Sequence, residues 1–153
     1  MRILVDADGC PVKDIILDVA KQHKIEVIMV KNICHELNDD YAKIITVDQG
    51  RDMADLVLIN NAKKGDIIVT QDYGVAALAL GKDAYAIHQN GWEYTKENID
   101  GLLMKRHINQ QMRMKQKKYS KIPKRSKEDN RLFEEGLKKL LKEIMAIEKT
   151  NLK

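Results

Sequence analysis

The chain has 153 residues, of which 44% are hydrophobic and 33% are charged, and its formal net charge is +4. This length is usual for one domain with its own core, and no apolar run approaches the ~20 residues that cross a bilayer. The two cysteines, Cys10 and Cys34, are too few for a disulfide scaffold and lack the CxxC spacing of zinc or redox motifs. We therefore expect one cytoplasmic globular protein without a membrane partner.

The first elements predict a strand that leads directly into a helix. Residues 3–5 are Ile-Leu-Val, and Pro11 begins a segment whose apolar residues recur at helical spacing as far as position 20. A second apolar run at residues 25–30 follows after one helix. Two strands joined in this way form a right-handed βαβ unit with parallel strands.

Strands and short helices then alternate. Further strands are predicted at residues 43–47, 66–70 and 84–87. The polar residues 31–43 are expected to form a loop at the rim of the sheet. Helices are predicted at 52–59, where nearly every side is apolar and burial between neighbouring elements is expected, and at 75–80, where Gly81 is expected to form a left-handed cap.

Two more helices are predicted in the last third of the chain. Thr95 is placed to cap the first of them, with Tyr94 and Ile99 as its hydrophobic staple. Ser126 and Asp129 have capping-box spacing at the start of the second. That helix has one apolar face, formed by Leu132, Phe133, Leu137, Leu140, Leu141 and Ile144. We expect this face to dock on the rest of the chain or on a second copy in a homodimer.

Charge divides the chain into an acidic body and a basic extension. Residues 1–103 contain 11 basic and 17 acidic residues, whereas residues 104–153 contain 16 and 6. Ten basic residues and no acidic one lie between positions 105 and 127. Such a segment binds polyanions by releasing counterions, so we expect nucleic acid as its partner. The residues expected to contact it are Lys105, Arg106, Arg113, Lys117, Lys118, Lys121, Lys124 and Arg125.

Five aspartates are expected to meet at one edge of the sheet. Asp6 ends the first strand, Asp8 follows two positions later, and Asp72 follows the fourth strand. Asp52 and Asp55 stand three apart at the start of a helix. Gathered carboxylates repel one another unless a cation offsets them, and their hard oxygen atoms suit Mg²⁺ or Mn²⁺. One or two such ions would support hydrolysis of a phosphodiester, with Asp6 and Asp72 as the catalytic pair.

A structural role is the alternative for several of these residues. Aspartate at the end of a strand or the start of a helix often accepts hydrogen bonds from backbone N–H groups, and this alternative stays open for Asp8 and Asp52. Asp55 is either a surface charge or a residue that orients another ligand. The four histidines are scattered without metal-ligand spacing, so we assign them surface or packing roles.

Several segments together resemble the bacterial YaiI/YqxD family: residues 5–13, 50–55, 65–74, 94–103 and 123–126. The resemblance covers nearly the whole chain. It implies a three-layer α/β/α PIN-like fold with a mainly parallel central sheet. Together with the charge division, it leads us to expect this domain at residues 1–103 and a basic helical extension at residues 104–153 that packs on it or on a second subunit. Active PIN-like relatives cleave RNA with Mg²⁺ or Mn²⁺.

The resemblance also implies roles for individual positions. Asp6 and Asp72 match the acidic residues that close the first and fourth strands of PIN-like nucleases. Asp52 and Asp55 fall in the acidic helix motif of the family. Leu56 stands where many members have a further Asp, so this chain has one potential ligand fewer.

Three functions are open at this point. The first is a metal-dependent nuclease, with RNA as the expected substrate. The second is a noncatalytic nucleic-acid-binding or regulatory protein with the same fold. The third is a phosphatase, because Asp6 and Asp8 after a strand also resemble the motif of haloacid-dehalogenase-like phosphatases. That class needs a downstream Lys and a further acidic pair, for which the sequence has no convincing counterpart.

Overall fold

The structure, a computed structural model, describes residues 1–48, 50, 52–116 and 124–151, with the backbone alone at 113–116. Its strands are β1 (Arg2–Asp6), β2 (Glu26–Asn32), β3 (Lys43–Val47), β4 (Ile67–Val69), β5 (Tyr85–Ile87) and β6 (Glu93–Tyr94). Its helices are α1 (Lys13–His23), α2 (Met53–Asn61), α3 (Tyr73–Gly81), α4 (Ile99–Gln116) and α5 (Lys127–Asn151). The predicted alternation of strands and helices is confirmed, and β6 is an addition to it.

The six strands form one sheet in the order β3-β2-β1-β4-β5-β6. The first five are parallel, and β6 pairs antiparallel with β5. The chain moves outward from β1 in one direction and returns to start β4 on its other side, where Val5 pairs with Val69. The strand order therefore reverses between β1 and β4, which is the usual place for a ligand in such sheets.

Helices cover both faces of the sheet, which confirms the expected α/β/α layering. Alternate residues of β1 point to opposite faces, so Ile3 and Val5 join one core cluster and Leu4 joins the other. The first cluster includes buried side chains of α1 and α5, and the second includes side chains of α2, α3 and the start of α4. None of the described helices is long and apolar enough to cross a membrane.

Two local predictions were wrong. The helix at 52–59 was expected to be buried between neighbouring elements, but Leu58 is the one fully buried side chain of α2, and Leu56 is 55% exposed. The reason is position, because α2 lies in an outer layer and has one face on the sheet. Gly81 is the last residue of α3, and the left-handed conformation falls at Asp83 (φ 60°) instead.

The predicted cap at Thr95 and the predicted capping box at Ser126 and Asp129 are both confirmed, and the structure adds Asn98 as the reciprocal partner of Thr95. Ahead of α4, the Asn98 backbone N–H donates to Thr95 Oγ1 (3.1 Å) and the Thr95 N–H donates to Asn98 Oδ1 (2.9 Å). Ahead of α5, the Asp129 N–H donates to Ser126 Oγ (3.2 Å) and the Ser126 N–H donates to Asp129 Oδ2 (2.9 Å). Each pair satisfies backbone donors that a helix start otherwise leaves free.

The apolar face of α5 packs on the body of the chain beside α1. Five of its six predicted residues are buried, and Leu132 is 41% exposed. The buried five are Phe133, Leu137, Leu140, Leu141 and Ile144. Gly136 on the same helix lies against the backbone of Gly91, in the turn between β5 and β6. Through its five buried residues, α5 belongs to the first core cluster.

Asp66 fastens the start of β1, and we expect Asp66→Ala to destabilise the protein by about 3 kcal/mol. The carboxylate is almost fully buried, lies 2.7 Å from Arg2 Nη2 and accepts the Lys63 backbone N–H at 2.9 Å. The change removes the carboxylate that pairs with the Arg2 guanidinium and the acceptor of two backbone donors, because the Arg2 N–H also donates to it. Urea unfolding measures the loss. A loss below ~0.5 kcal/mol, as at an ordinary surface position, would contradict this assignment.

Candidate metal centre

An open cavity of about 760 Å³ lies where β1 and β4 end. All five predicted aspartates line it: Asp6, Asp8, Asp52, Asp55 and Asp72. The strand ends bring Asp6 and Asp72 to the same edge because β1 and β4 are adjacent and parallel. The start of α2 brings Asp52 and Asp55, and α4 contributes Arg106, Asn109 and Gln110. The structure thus gathers residues that are up to 104 positions apart in the chain.

Asp6 has the most perturbed carboxylate of the cavity. Burial, followed by the charges of Asp55, Asp8 and Asp72, raises the pKa of Asp6 to about 7. Burial and the neighbouring charges both disfavour the ionised form, so near neutral pH this carboxyl group exchanges a proton. Such a shift is a common mark of a functional site.

Asp55 experiences the same repulsion. Burial, together with the charges of Asp72 and Asp52, raises the pKa of the Asp55 carboxyl group, and Arg106 opposes the increase. The negative charges of Asp55 and Asp72 act on Asp6, and the charge of Asp72 acts on Asp55, so these three carboxylates form a coupled set. A positive charge that enters the cavity relieves this repulsion.

Asp72 is fixed by the start of α3. Its Oδ1 accepts the backbone N–H groups of Gly74 (2.8 Å) and Val75 (3.2 Å), so it is the N-cap of the helix. The same oxygen lies 3.5 Å from Nη1 of Arg106. Within the described part of the chain, Oδ2 makes no hydrogen bond. Capping by Oδ1 therefore holds the side chain in place and leaves its second oxygen available.

Asp8 uses both oxygens to hold the loop after β2. Oδ2 accepts the Asn32 backbone N–H at 2.9 Å, and Oδ1 lies 2.6 Å from Nδ1 of His35. His35 is 27 positions from Asp8 along the chain, and the two residues meet because β2 lies beside β1. The sequence alone therefore did not indicate His35. As it stands, Asp8 shapes one rim of the cavity, and its predicted role as a metal ligand stays a prediction.

Asp52 precedes α2 in a left-handed conformation, with φ at 66°. Its side chain makes no capping hydrogen bond, so the structural alternative considered for this residue is not what the structure shows. A non-glycine residue pays a conformational cost at such a φ, although aspartate tolerates it better than most. Asp52 is exposed and lines the cavity.

The donor chemistry of the cavity suits a hard divalent cation, but its carboxylates are not closely convergent. Among the described residues, no three His, Cys, Asp or Glu side chains lie close enough together to hold an ion as they stand. Mg²⁺ needs fewer protein ligands, because it keeps several waters and is often held by one or two carboxylates plus substrate phosphate. Asp6, Asp55 and Asp72 are the residues that fit Mg²⁺ or Mn²⁺ best.

The basic residues predicted to bind nucleic acid have different surroundings. Arg106 lines the cavity, and Lys105 and Lys124 are exposed. The Arg113 side chain and all of Lys117, Lys118 and Lys121 lie outside the described residues. The described part of the predicted surface therefore reaches the cavity through Arg106 alone.

Arg125 holds parts of the fold together. Its Nη2 donates to the Gln89 carbonyl (2.6 Å), Nη1 donates to Asn90 Oδ1 (2.8 Å) and Nε donates to Asn130 Oδ1 (2.7 Å). These bonds join the turn after β5 to the first turn of α5. They give Arg125 a structural role beside the predicted contact with nucleic acid, which stays a prediction.

The comparisons with known proteins agree on a family. Residues 4–143 match the family described as "Uncharacterized BCR, YaiI/YqxD family". A "UPF0178 protein" of Alkaliphilus oremlandii is 72% identical over 137 residues, which cover 90% of this chain and 88% of that one. Another, from Natranaerobius thermophilus, is 54% identical over 145 residues, covering 95% and 96%. No solved structure is significantly similar to the chain. The chain therefore belongs to the YaiI/YqxD family, as its sequence motifs predicted.

Proposed function

We propose that this protein is a PIN-like, metal-dependent hydrolase that cleaves phosphodiester bonds in nucleic acid, with RNA as the expected substrate. The observation that carries the proposal is the coupled set of Asp6, Asp55 and Asp72 in one open cavity at the switch point of the sheet. Carboxylates gathered in this way destabilise one another. Their arrangement is explained if a cation offsets the repulsion when the protein works.

The side chains of the cavity divide the work of such a reaction. A bound Mg²⁺ or Mn²⁺ supplies positive charge to phosphate oxygens and lowers the pKa of a water molecule. Asp6 would hold the cation in its ionised form, and its pKa of about 7 means that this form is reached by loss of a proton near neutral pH. Asp72 is oriented by the N–H groups of α3, so its free oxygen needs little reorganisation. Arg106 adds a fixed positive charge beside Asp72.

A noncatalytic nucleic-acid-binding protein is the second candidate. It is favoured by the lack of three closely convergent ligand side chains in the described residues. It is also favoured by Leu56, which is 55% exposed and cannot act as a ligand at a position where the family resemblance implies a further Asp. Cleavage of RNA in Mn²⁺ distinguishes the two candidates. The noncatalytic protein should bind RNA in a salt-sensitive way and release no product.

Cleavage of a labelled single-stranded RNA in Mn²⁺ tests the proposal, and Asp72→Asn should reduce the rate at least ~100-fold. Asparagine caps helices as well as aspartate does, so this variant keeps the start of α3 and removes a charge. Asp18→Asn, on the exposed side of α1, is the matched control and should cleave at the wild-type rate.

Two results would contradict the proposal. Wild-type protein that binds the RNA and releases no product in Mn²⁺ would favour the noncatalytic candidate. Cleavage by Asp72→Asn at the wild-type rate would exclude Asp72 from the catalytic set and would point to a contaminating nuclease.

A further inference from the structure

One face of α4 forms a wall of the acidic cavity. Arg106, Asn109 and Gln110 are three and four positions apart, so they lie on the same side of the helix, and all three line the cavity. The preceding residues Leu102 and Leu103 pack against the second core cluster, the one that contains Leu4, and anchor the helix. The three polar residues therefore come directly after the part of α4 that is anchored in the core.

Within the described residues, the fold uses only one of the side-chain donors on this face, and that contact is long. Arg106 carries five N–H donors, and its contact in the described structure is the long one between Nη1 and Asp72 Oδ1, at 3.5 Å. Within the same described residues, the side chains of Asn109 and Gln110 make no hydrogen bonds. A planar guanidinium with free donors matches two oxygens of a phosphate group, and the amides add uncharged donors next to it.

We propose that Arg106, Asn109 and Gln110 form the phosphate-binding subsite of the cavity, and that this subsite recognises the backbone phosphate of a nucleic acid whatever its sugar or base. The inference rests on the proposed function for the identity of the substrate. Five carboxylates line the same cavity and repel a phosphate, so an incoming strand is bound where the positive charge lies. In the described lining, that charge is Arg106.

Arg106 favours the binding of a phosphate group, but through its contact with Asp72 it disfavours the binding of a cation. While it lies beside Asp72 it lowers the repulsion among the carboxylates, and its positive charge also opposes the binding of a cation to the Asp72 carboxylate. A substrate phosphate that draws the guanidinium away removes this opposition. Loss of the Arg106 charge should therefore weaken the binding of phosphate chains and leave the affinity for Mn²⁺ at least as high as in the wild type.

Fluorescence anisotropy with labelled uridine and thymidine 12-mers tests the subsite. EDTA in the buffer prevents metal-dependent hydrolysis during the measurement. Arg106→Gln should weaken binding of both probes about 10-fold, and the slope of log affinity against log salt should fall by about 0.7. Arg106→Lys should keep the slope and lose part of the affinity, because lysine keeps the charge without the fork. The double variant Asn109→Ala, Gln110→Ala should lose about 3-fold.

Lys142→Gln is the control, since Lys142 is an exposed cation on α5 outside this cavity. It should bind both probes within 2-fold of the wild type. A parallel Mn²⁺ titration of Arg106→Gln separates the subsite from damage to the fold, which would weaken the binding of oligonucleotide and cation together.

Unchanged affinity of Arg106→Gln for both probes overturns the inference, and so does a wild type that binds neither. Weakening for the uridine probe alone also overturns it, because a phosphate contact is shared by the two chains. Normal weakening in EDTA with no cleavage by the wild type in Mn²⁺ would leave the subsite standing while the proposed hydrolysis fails. Cleavage by the wild type in Mn²⁺ with unchanged binding by Arg106→Gln would support the proposed hydrolysis and exclude the subsite.

Discussion

Asp6→Asn should stabilise the cation-free protein at pH 8 by about 1–3 kcal/mol and abolish its stabilisation by Mn²⁺. The pKa of Asp6 is about 7 in the folded chain, above its ordinary value of 3.8. A carboxyl group with a raised folded pKa gives full stability below its unfolded pKa, and that contribution is lost as the pH rises from about 4 through 7. Asparagine has no charge to bury, so the variant avoids the loss.

Urea unfolding in EDTA at pH 4.5 and pH 8 measures this effect. The advantage of Asp6→Asn over the wild type should be largest at pH 8 and shrink at pH 4.5, where folded Asp6 is protonated. Added Mn²⁺ should raise the stability of the wild type by mass action and leave the variant unchanged. Asp18→Asn should behave as the wild type in every condition. An Asp6→Asn protein that is less stable than the wild type at pH 8 in EDTA would refute the repulsion.

Gly136→Ala should destabilise the protein by about 2–3 kcal/mol. A Cβ at Gly136 would overlap the carbonyl group of Gly91. The overlapped atoms belong to the backbone and cannot turn aside as the end of a flexible side chain can. Relief would require α5 to move away from the turn between β5 and β6, which would disturb the Arg125 bonds to Gln89 and Asn90. The expected cost is therefore spread over the junction of helix and sheet.

Gly101→Ala is a matched control for that substitution. Gly101 also lies within a helix, and a Cβ there would meet nothing within 4 Å. Alanine should stabilise the protein at this position by about 0.5–1 kcal/mol, because it has the higher helix propensity. Thermal unfolding of both variants should give shifts of opposite sign. Shifts of the same sign and size would show that α5 is free to move away from Gly91.

Local patterns predicted most of the fold because they depend on neighbouring residues. β3 was predicted at its observed bounds, and Ser126 with Asp129 marked the start of α5. β6 was missed because two residues are too short to show a period of two. The burial of α2 was overestimated, since an apolar sequence does not reveal which layer a helix joins, and Leu56 faces outward.

The candidate site was predictable where backbone topology determines it. Asp6 is the last residue of β1 and Asp72 comes shortly after the parallel strand β4, so their meeting could be expected without coordinates. The pairing of Asp8 with His35 and the donors of Arg106 beside Asp72 depend on the path of a loop and the direction of a helix. Neither leaves a periodic signal in the sequence. Such contacts between distant residues are the part that needs a structure.

The central claim is that the coupled carboxylates of the cavity bind a divalent cation. The most direct measurement is anomalous diffraction at the manganese edge from crystals of the full chain soaked in Mn²⁺. The account predicts an anomalous peak in the cavity, in contact with the Asp6 carboxylate, that is absent from crystals of Asp6→Asn. A cavity without a peak at saturating Mn²⁺, or a peak that persists unchanged in Asp6→Asn, would contradict it.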